Sequence, residues 1–214
     1  MAIIRHYPFH SMRGDQETIS TEGIELTKGI SLSIITAFTD KSKAVLAKLL
    51  DDNNIGYINA AADVESFVKA FKPVYYYDAV KNVSDDYVLI IDGYDTVLES
   101  IDEIPSCLEH YHKDMLYSAW NVHFPTYFDV DLSVPEDNEK KFLNSGVFFG
   151  KTSEVKKFYK ALSDYIKAEY PTSDHWLKDF EQYWLYKFLT EHEDILSKLG
   201  TDYDEVLVSN NNEG

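Results

Sequence analysis

Between the acidic pair Asp85-Asp86 and the Asp92-Gly93 turn runs Tyr87-Val88-Leu89-Ile90-Ile91, an unbroken apolar segment of strand length. A strand covered on one face alternates apolar and polar residues, whereas a strand covered on both faces has no reason to alternate. The segment therefore predicts a central strand in a sheet with layers packed on both sides. The flanking sequence agrees. Leu32 to Phe38 is short and partly β-branched, Thr39-Asp40 signals a helix start, and Ala44, Val45, Leu46, Leu49 and Leu50 follow at helical spacing. Asp51 to Asn54 stops that helix, Ile55 to Asn59 reads as a second short strand, and Phe67 to Val80 is helix-prone. Further along, Leu116 to Trp120 and Gly146 to Gly150 repeat the strand pattern, Glu154 to Lys167 and Glu181 to Leu189 read as amphipathic helices, and Glu205 to Ser209 as a last strand. Strands alternating with helices predict one α/β domain over residues 30–214 with a mostly parallel sheet, preceded by a polar leader, residues 1–29, with turn chemistry at Arg13-Gly14-Asp15 and Thr21-Glu22-Gly23.

Composition narrows the classes of function. Twenty Lys and Arg against 37 Asp and Glu leave a formal net charge of −17. Such a field repels phosphate backbones and anionic bilayers, and no basic patch interrupts it, so neither nucleic acid nor membrane is expected as a partner. The 16 Tyr and 12 Phe fit a core better than a base-stacking platform, since basic partners are missing around them. One cysteine, Cys107, fits a reducing compartment; the start Met-Ala-Ile-Ile-Arg-His lacks a signal-peptide run, and no stretch of about 18 apolar residues occurs. The expectation is a cytoplasmic protein. The phosphate loop of P-loop NTPases, the dinucleotide Gly-x-Gly-x-x-Gly and the hydrolase Gly-x-Ser-x-Gly are all missing.

Two local patterns carry chemistry. Asp92-Gly93-Tyr94-Asp95 follows the central strand directly, and ligands of open α/β sheets sit beyond the carboxyl ends of strands. A bend at Gly93 lets both carboxylates point to one spot, where a divalent cation relieves their repulsion; hard oxygen ligands suit Mg²⁺ or Mn²⁺ bridging to a diphosphate. The same tetrapeptide also reads as a turn that caps a strand end. Phe142-Leu143-Asn144-Ser145-Gly146 places an amide and a hydroxyl beside a glycine that lets a ligand approach the backbone, or is an ordinary Asn-Ser-Gly turn.

Asp92-x-x-Asp95 after an apolar strand, Tyr117-Ser118-Ala119, Phe142-Leu143-Asn144-Ser145-Gly146 with its trailing Phe149-Gly150, and Glu181-Gln182-x-x-x-Tyr186 occur here in one order. In that order, over roughly residues 30–210, the chain resembles the glycosyltransferase domain of the procollagen lysyl hydroxylase/glycosyltransferase family, a Rossmann-like GT-A fold that uses UDP-sugars and Mn²⁺. The resemblance implies that Thr36, Ala37, Phe38 and Thr39 seat the uridine and that Lys72 meets the donor phosphates. It implies that Asp92 and Asp95 hold Mn²⁺ or Mg²⁺ and that Asn144, Ser145 and Gly146 contact donor sugar and acceptor. Ser118 and Ala119 precede the acceptor-side loop, Asp179 and Glu181 lie where the family carries acidic residues near the reacting sugar, and Asp202 and Asn210 match a late Asp and Asn. The chain departs from the family at Trp120-Asn121-Val122, where a Cys-Trp-Pro run is usual, and the family's third metal ligand, a histidine beyond Asn210, has no counterpart up to Gly214.

The expected function is a metal-dependent transferase moving a hexose, glucose or galactose, from a UDP-sugar to an acceptor hydroxyl on a glycan, peptide or small molecule, with Asp179 or Glu181 as the catalytic carboxylate and Asn144 beside it. A non-catalytic nucleotide-sugar-binding or partner-binding module with an incomplete metal site is the alternative. A nucleotidyltransferase is the third reading, and the absence of glycine from Thr36 to Lys43 counts against it.

Overall fold

The computed structural model describes residues 4–6, 30–98, 103–126, 128 and 130–210. Six strands form the central sheet: β2 (Leu32–Ala37), β3 (Ile58–Asn59), β4 (Tyr87–Asp92), β6 (Met115–Trp120), β7 (Phe142–Lys151) and β8 (Leu199–Asp202), in the order β3-β2-β4-β7-β6-β8. Five strands run one way, and β7 alone is reversed, antiparallel to both β4 and β6. The expected mostly parallel α/β sheet is therefore present, with the central strand where the apolar run placed it.

Alternation along the strands assigns the two faces. Val88, Ile90, Tyr117 and Phe148 pack into one core with α2 (Lys72–Val80), α4 (Thr152–Glu169) and α5 (Glu181–Glu191). Leu89, Ile91, Leu116, Val147 and Phe149 pack into the other with α1 (Val45–Asp52) and α3 (Ile104–His110). Each such fully buried side chain contributes about 1.5–3 kcal/mol relative to exposure. This double coverage is the physical reason that β4 needs no polar face.

Three strands escape the sequence reading. Ile4–His6 (β1) lies within the segment expected as a polar leader, and pairs antiparallel with β5 (Thr96–Leu98) and parallel with β9 (Val208–Asn210) in a second, small sheet. Such three-residue strands exist through pairing rather than through a periodic pattern of their own. Leu-Gly-Thr-Asp of β8 likewise has one large apolar residue and is a strand because it lies against β6. The turns expected at residues 13–15 and 21–23 lie outside the described residues. Among the described residues, no helix is long and apolar enough to cross a membrane.

The strand expected from Glu205 begins only at Val208, and Asp202 is the cause. This fully buried carboxylate accepts backbone N–H bonds from Val206 (2.8 Å), Leu207 (2.9 Å) and Val208 (2.7 Å), and a hydroxyl bond from Tyr111 (2.8 Å). The chain wraps around the carboxylate, with Glu205 at a φ of 51°, before it straightens into β9. Asp202→Asn turns one acceptor oxygen into an amide N–H₂ group facing the N–H donors of Leu207 and Val208. Urea unfolding is expected to show a loss of about 2–6 kcal/mol, from about 1–3 for each buried donor left unpaired; a change within 0.5 kcal/mol, the usual spread for surface substitutions, would contradict this role.

Candidate active site

The reversed direction of β7 builds the site. Ala37 pairs with Asp92 at the carboxyl ends of β2 and β4, and Ile91 pairs with Val147, so the residues just before Val147 lie beside Asp92. A register shift between Tyr117 and Ser118 then sets Ser118 opposite Asn144. One edge of the sheet thus gathers Ala37, Asp92, Asn144, Ser145, Gly146 and the end of β6, and the first residues of α2 and α5 stand over it.

Those two first residues are Lys72 and Glu181. By alternation, Asp92 lies on the same face as Val88 and Ile90, the face covered by α2 and α5. The Lys72 ammonium lies 2.5 Å from Asp92 Oδ1 and 2.9 Å from Glu181 Oε2, and 5.8 Å from the centre of the Tyr76 ring. Burial works to lower the Lys72 pKa, but the attraction of Asp92 and then of Glu181 outweighs it and holds the ammonium well above the ordinary lysine value. Burial raises the Glu181 carboxyl to about 7; Lys72 pulls it down and Asp92 pushes it further up. One ammonium shared by two carboxylates leaves the more buried of them easily protonated.

Gly93 makes the turn possible. A Cβ there would stand 2.9 Å from Thr36 Oγ1 and 3.1 Å from Phe38 Cδ1, so only glycine lets the Asp92–Asp95 turn close onto β2. The Gly93 carbonyl accepts from Leu46 N–H at 3.1 Å, which ties the turn to α1. Tyr94 hydroxyl accepts from the N–H groups of Thr39 (3.0 Å) and Asp40 (3.2 Å), and the Asn59 carboxamide brackets Phe38 through its N–H (3.2 Å) and carbonyl (3.0 Å).

These contacts bound a cleft of about 520 Å³. Ala37, Lys72, Asp92, Asp95, Asn144, Ser145, Gly146 and Glu181 of the expected residues line it. Thr36 and Phe38 are buried behind it, Phe38 against Tyr57, and Thr39 is exposed on the Tyr94 hydroxyl. Ser118 and Ala119 are buried in β6, Ser118 Oγ donating to the Asn144 carbonyl at 3.2 Å. Asp179 is exposed, does not line the cleft, and accepts from the Tyr170 hydroxyl at 2.8 Å. Glu181, two positions on, is the carboxylate brought to the site.

Asn144 is held for a purpose that its contacts reveal. Its Oδ1 accepts from Gly146 N–H at 2.8 Å, which fixes the amide orientation, and its Nδ2 has no hydrogen-bond partner among the described residues. That nitrogen is not a buried orphan either. Asn144 lines the cleft, so this donor is free to bond to solvent or to a ligand there. Gln182 was visible in the sequence only as part of a motif; it clamps α5 onto this segment, donating to the carbonyls of Phe124 (2.7 Å) and Leu143 (3.1 Å) and accepting from Ser145 N–H (3.3 Å). Tyr94, Lys69, Phe67 and Trp176 also line the cleft. No spacing rule singles them out, since each comes from a turn or loop.

Asp92 and Asp95 offer hard oxygen donors to the same cleft, which suits Mg²⁺ or Mn²⁺ held by one or two carboxylates with the remaining positions taken by phosphate oxygens and water. No group of three His, Cys, Asp or Glu suited to a metal occurs among the described residues, so a cation held by Asp92 and Asp95 would need further ligands from substrate and solvent.

Residues 70–169 match the family model of the PLOD GT domain, a stretch that holds Lys72, Asp92, Asp95 and Asn144 to Gly146 and ends before Glu181. The chain thus contains a glycosyltransferase-like domain and resembles this family. No curated protein matches the chain. Among solved structures, glucosyl-3-phosphoglycerate synthase from Mycobacterium tuberculosis, in complex with Mn²⁺, UDP and glucosyl-3-phosphoglycerate, aligns over 87% of this chain and 74% of its own at 9% identity and a TM-score of 0.41.

The position of Glu181 makes a test of the site's electrostatics. The folded protein binds this proton more tightly than the unfolded chain does. Stability from this group is therefore full below its ordinary value of 4.5 and is lost as the pH rises through about 7. Carboxyl ¹³C NMR on metal-free protein is expected to place the Glu181 midpoint near 7, and Glu181→Gln to flatten the fall in stability between 4.5 and 7. A midpoint at 4.5 would remove Glu181 as a group poised for proton transfer.

Proposed function

We propose that this chain is a divalent-metal-dependent glycosyltransferase that moves a hexose, glucose or galactose, from a UDP-sugar to an acceptor hydroxyl. The observation that carries this reading is the meeting of Asp92, Lys72 and Glu181 at the carboxyl ends of parallel strands, in a cleft that also holds Asp95 and the Asn144 amide. Asp92 and Asp95 would hold Mn²⁺ or Mg²⁺, which neutralises charge developing on the departing diphosphate.

The chain's own residues supply the rest. Lys72 sets an ammonium beside Asp92, where a diphosphate oxygen competes with the carboxylates for it. Ala37, with the backbone bracketed by Asn59 and Tyr94, forms the wall for the nucleoside. The Asn144 Nδ2 donor faces the hydroxyls of the transferring sugar. Glu181 is the one predicted catalytic carboxylate in the cleft, and a carboxyl raised to about 7 accepts an acceptor proton more readily than an ordinary glutamate does. A deprotonated Glu181 also favours positive charge developing on the sugar.

One observation favours a second reading, that of a nucleotide-sugar-binding module: Lys72 already neutralises Asp92 without a metal. Turnover separates the two. With a panel of UDP-hexoses and Mn²⁺, the transferase reading expects UDP release that Glu181→Gln lowers by about 10²-fold, with UDP affinity within a few-fold of wild type, the mark of an interaction made mainly in the transition state. UDP binding without turnover in wild type would decide for the module.

Calorimetry tests the metal assignment directly. UDP affinity is expected to rise with added Mn²⁺ in wild type, and Asp92→Asn or Asp95→Asn to remove most of that rise. Equal affinity with and without Mn²⁺ in all three proteins would exclude these carboxylates as metal ligands.

A further inference from the structure

Four large hydrophobic side chains are exposed among the described residues, Ile58, Val122, Trp176 and Phe180, and three of them line the cleft. Trp176 is the extreme case, with 74% of its surface exposed. A tryptophan left in water sacrifices one of the largest apolar burials available to a side chain, and a cluster of such residues marks a place where something else covers them.

The loop that presents Trp176 is built rather than loose. Leu177 beside it is buried, its N–H donating to His175 Nδ1 at 3.1 Å. Lys178 N–H donates to the His175 carbonyl (3.0 Å), Phe180 N–H to the Leu177 carbonyl (2.9 Å), and Trp184 Nε1–H of α5 to the Lys178 carbonyl (2.6 Å). His175 stacks on Tyr183, with ring centres 4.6 Å apart. A rigid loop holding an exposed ring has met most of the ordering cost of binding beforehand.

Chemistry divides the cleft along β7. Lys69, Lys72, Asp92 and Asp95 come from α2, the turn before it and the end of β4, the half already given to a nucleoside diphosphate. Trp120, Val122 and Phe124 come from the end of β6 and the loop after it, Trp176 and Phe180 from the loop before α5, and none is charged. Phe124 and Phe180 meet edge to face at 6.1 Å. Asn144, Ser145 and Gln182 line the same cleft and add neutral amides and a hydroxyl. Flat apolar rings next to neutral hydrogen-bonding groups match a pyranose, which has an apolar C–H face and a rim of hydroxyls. The aromatic wall itself carries no charge, and Glu181, which follows Phe180, is already paired with Lys72.

Resting on the glycosyltransferase reading, we infer that Trp176 and Phe180 form the acceptor subsite and that the acceptor is a neutral glycoside whose sugar ring stacks on Trp176. The test uses methyl β-D-galactopyranoside and methyl β-D-glucopyranoside with wild type, Trp176→Ala, Phe180→Ala and Trp176→Phe. Saturation-transfer NMR without donor is expected to mark the C–H face of a pyranoside with wild type and Trp176→Phe and to lose the signal with Trp176→Ala. In turnover, the acceptor KM is expected to rise about tenfold or more in the two alanine variants, corresponding to about 1.4 kcal/mol of lost contact, and to recover in Trp176→Phe. An acceptor KM within twofold of wild type in both alanine variants overturns the proposal. So does a wild-type dimer in sedimentation that Trp176→Ala converts to monomer, since a second copy would then be what covers the ring. If wild type releases no UDP from any UDP-hexose, the transferase reading fails by itself; saturation transfer, which needs no turnover, still decides for or against the pyranoside on Trp176.

Discussion

A single ammonium holds the site together. Lys72 is the first residue of α2, Asp92 the last of β4 and Glu181 the first of α5, and Lys72 bonds to both carboxylates within 2.9 Å. Three elements far apart in sequence are thereby fixed end to end over one edge of the sheet. Desolvating the three groups is expensive, so the arrangement is poor evidence of added stability, but removing Lys72 would strand both carboxylates at a cost of about 3–5 kcal/mol or more. Such an interaction specifies geometry more than it stabilises the fold. The Gln182 clamp on Leu143 and Phe124 fixes the start of α5 at the same edge.

The sheet imposes the complementary constraint. In an all-parallel sheet, the residues that begin a strand lie at the opposite edge from those that end it, so Asn144 and Asp92 would be separated by the length of the strands. Reversing β7 brings both to one edge. The reversal in turn needs close packing at its far end, where a Cβ on Gly150 would stand 2.7 Å from the Asp114 carbonyl. The trailing glycine of the Asn-Ser-Gly segment thus serves β6–β7 pairing, while Gly146 serves the cleft.

Much of this was readable in the chain, for a physical reason. Residues buried on both faces leave an unbroken apolar run, and Tyr87 to Ile91 announced β4 and with it the location of Asp92 and Asp95. Resemblance to a family added Lys72, which no periodicity marks. Sequence could not separate Asp179 from Glu181, because the difference is burial: the helix starts at Glu181 and turns its carboxylate toward Lys72, while Asp179 stays in solvent on the Tyr170 hydroxyl. Nor could it show Trp176, whose exposure depends on Leu177 and Trp184 pinning the loop from below. Short strands such as β5 and β8 leave no periodic trace, since pairing alone makes them strands.

On the transferase reading, the charges in the cleft tie proton chemistry to metal chemistry. Asp92, Asp95 and Glu181 face Lys69 and Lys72, which leaves one negative charge in excess when all are ionised, inside a chain whose net charge is −17. In the free protein burial is the main cause of the raised Glu181 pKa; Lys72 opposes it and Asp92 adds to it, and a proton on Glu181 also relieves the excess charge. A diphosphate entering alone would add negative charge to a field already negative and would compete with Asp92 for Lys72. A divalent cation entering with it reverses the balance, attracting the diphosphate and both aspartates together. On the transferase reading, that surplus would make diphosphate binding depend on a cation, whose positive charge would favour the ionised form of Glu181, the form able to accept a proton from a hydroxyl. Donor loading and readiness for proton transfer would then be linked through Lys72 and Asp92.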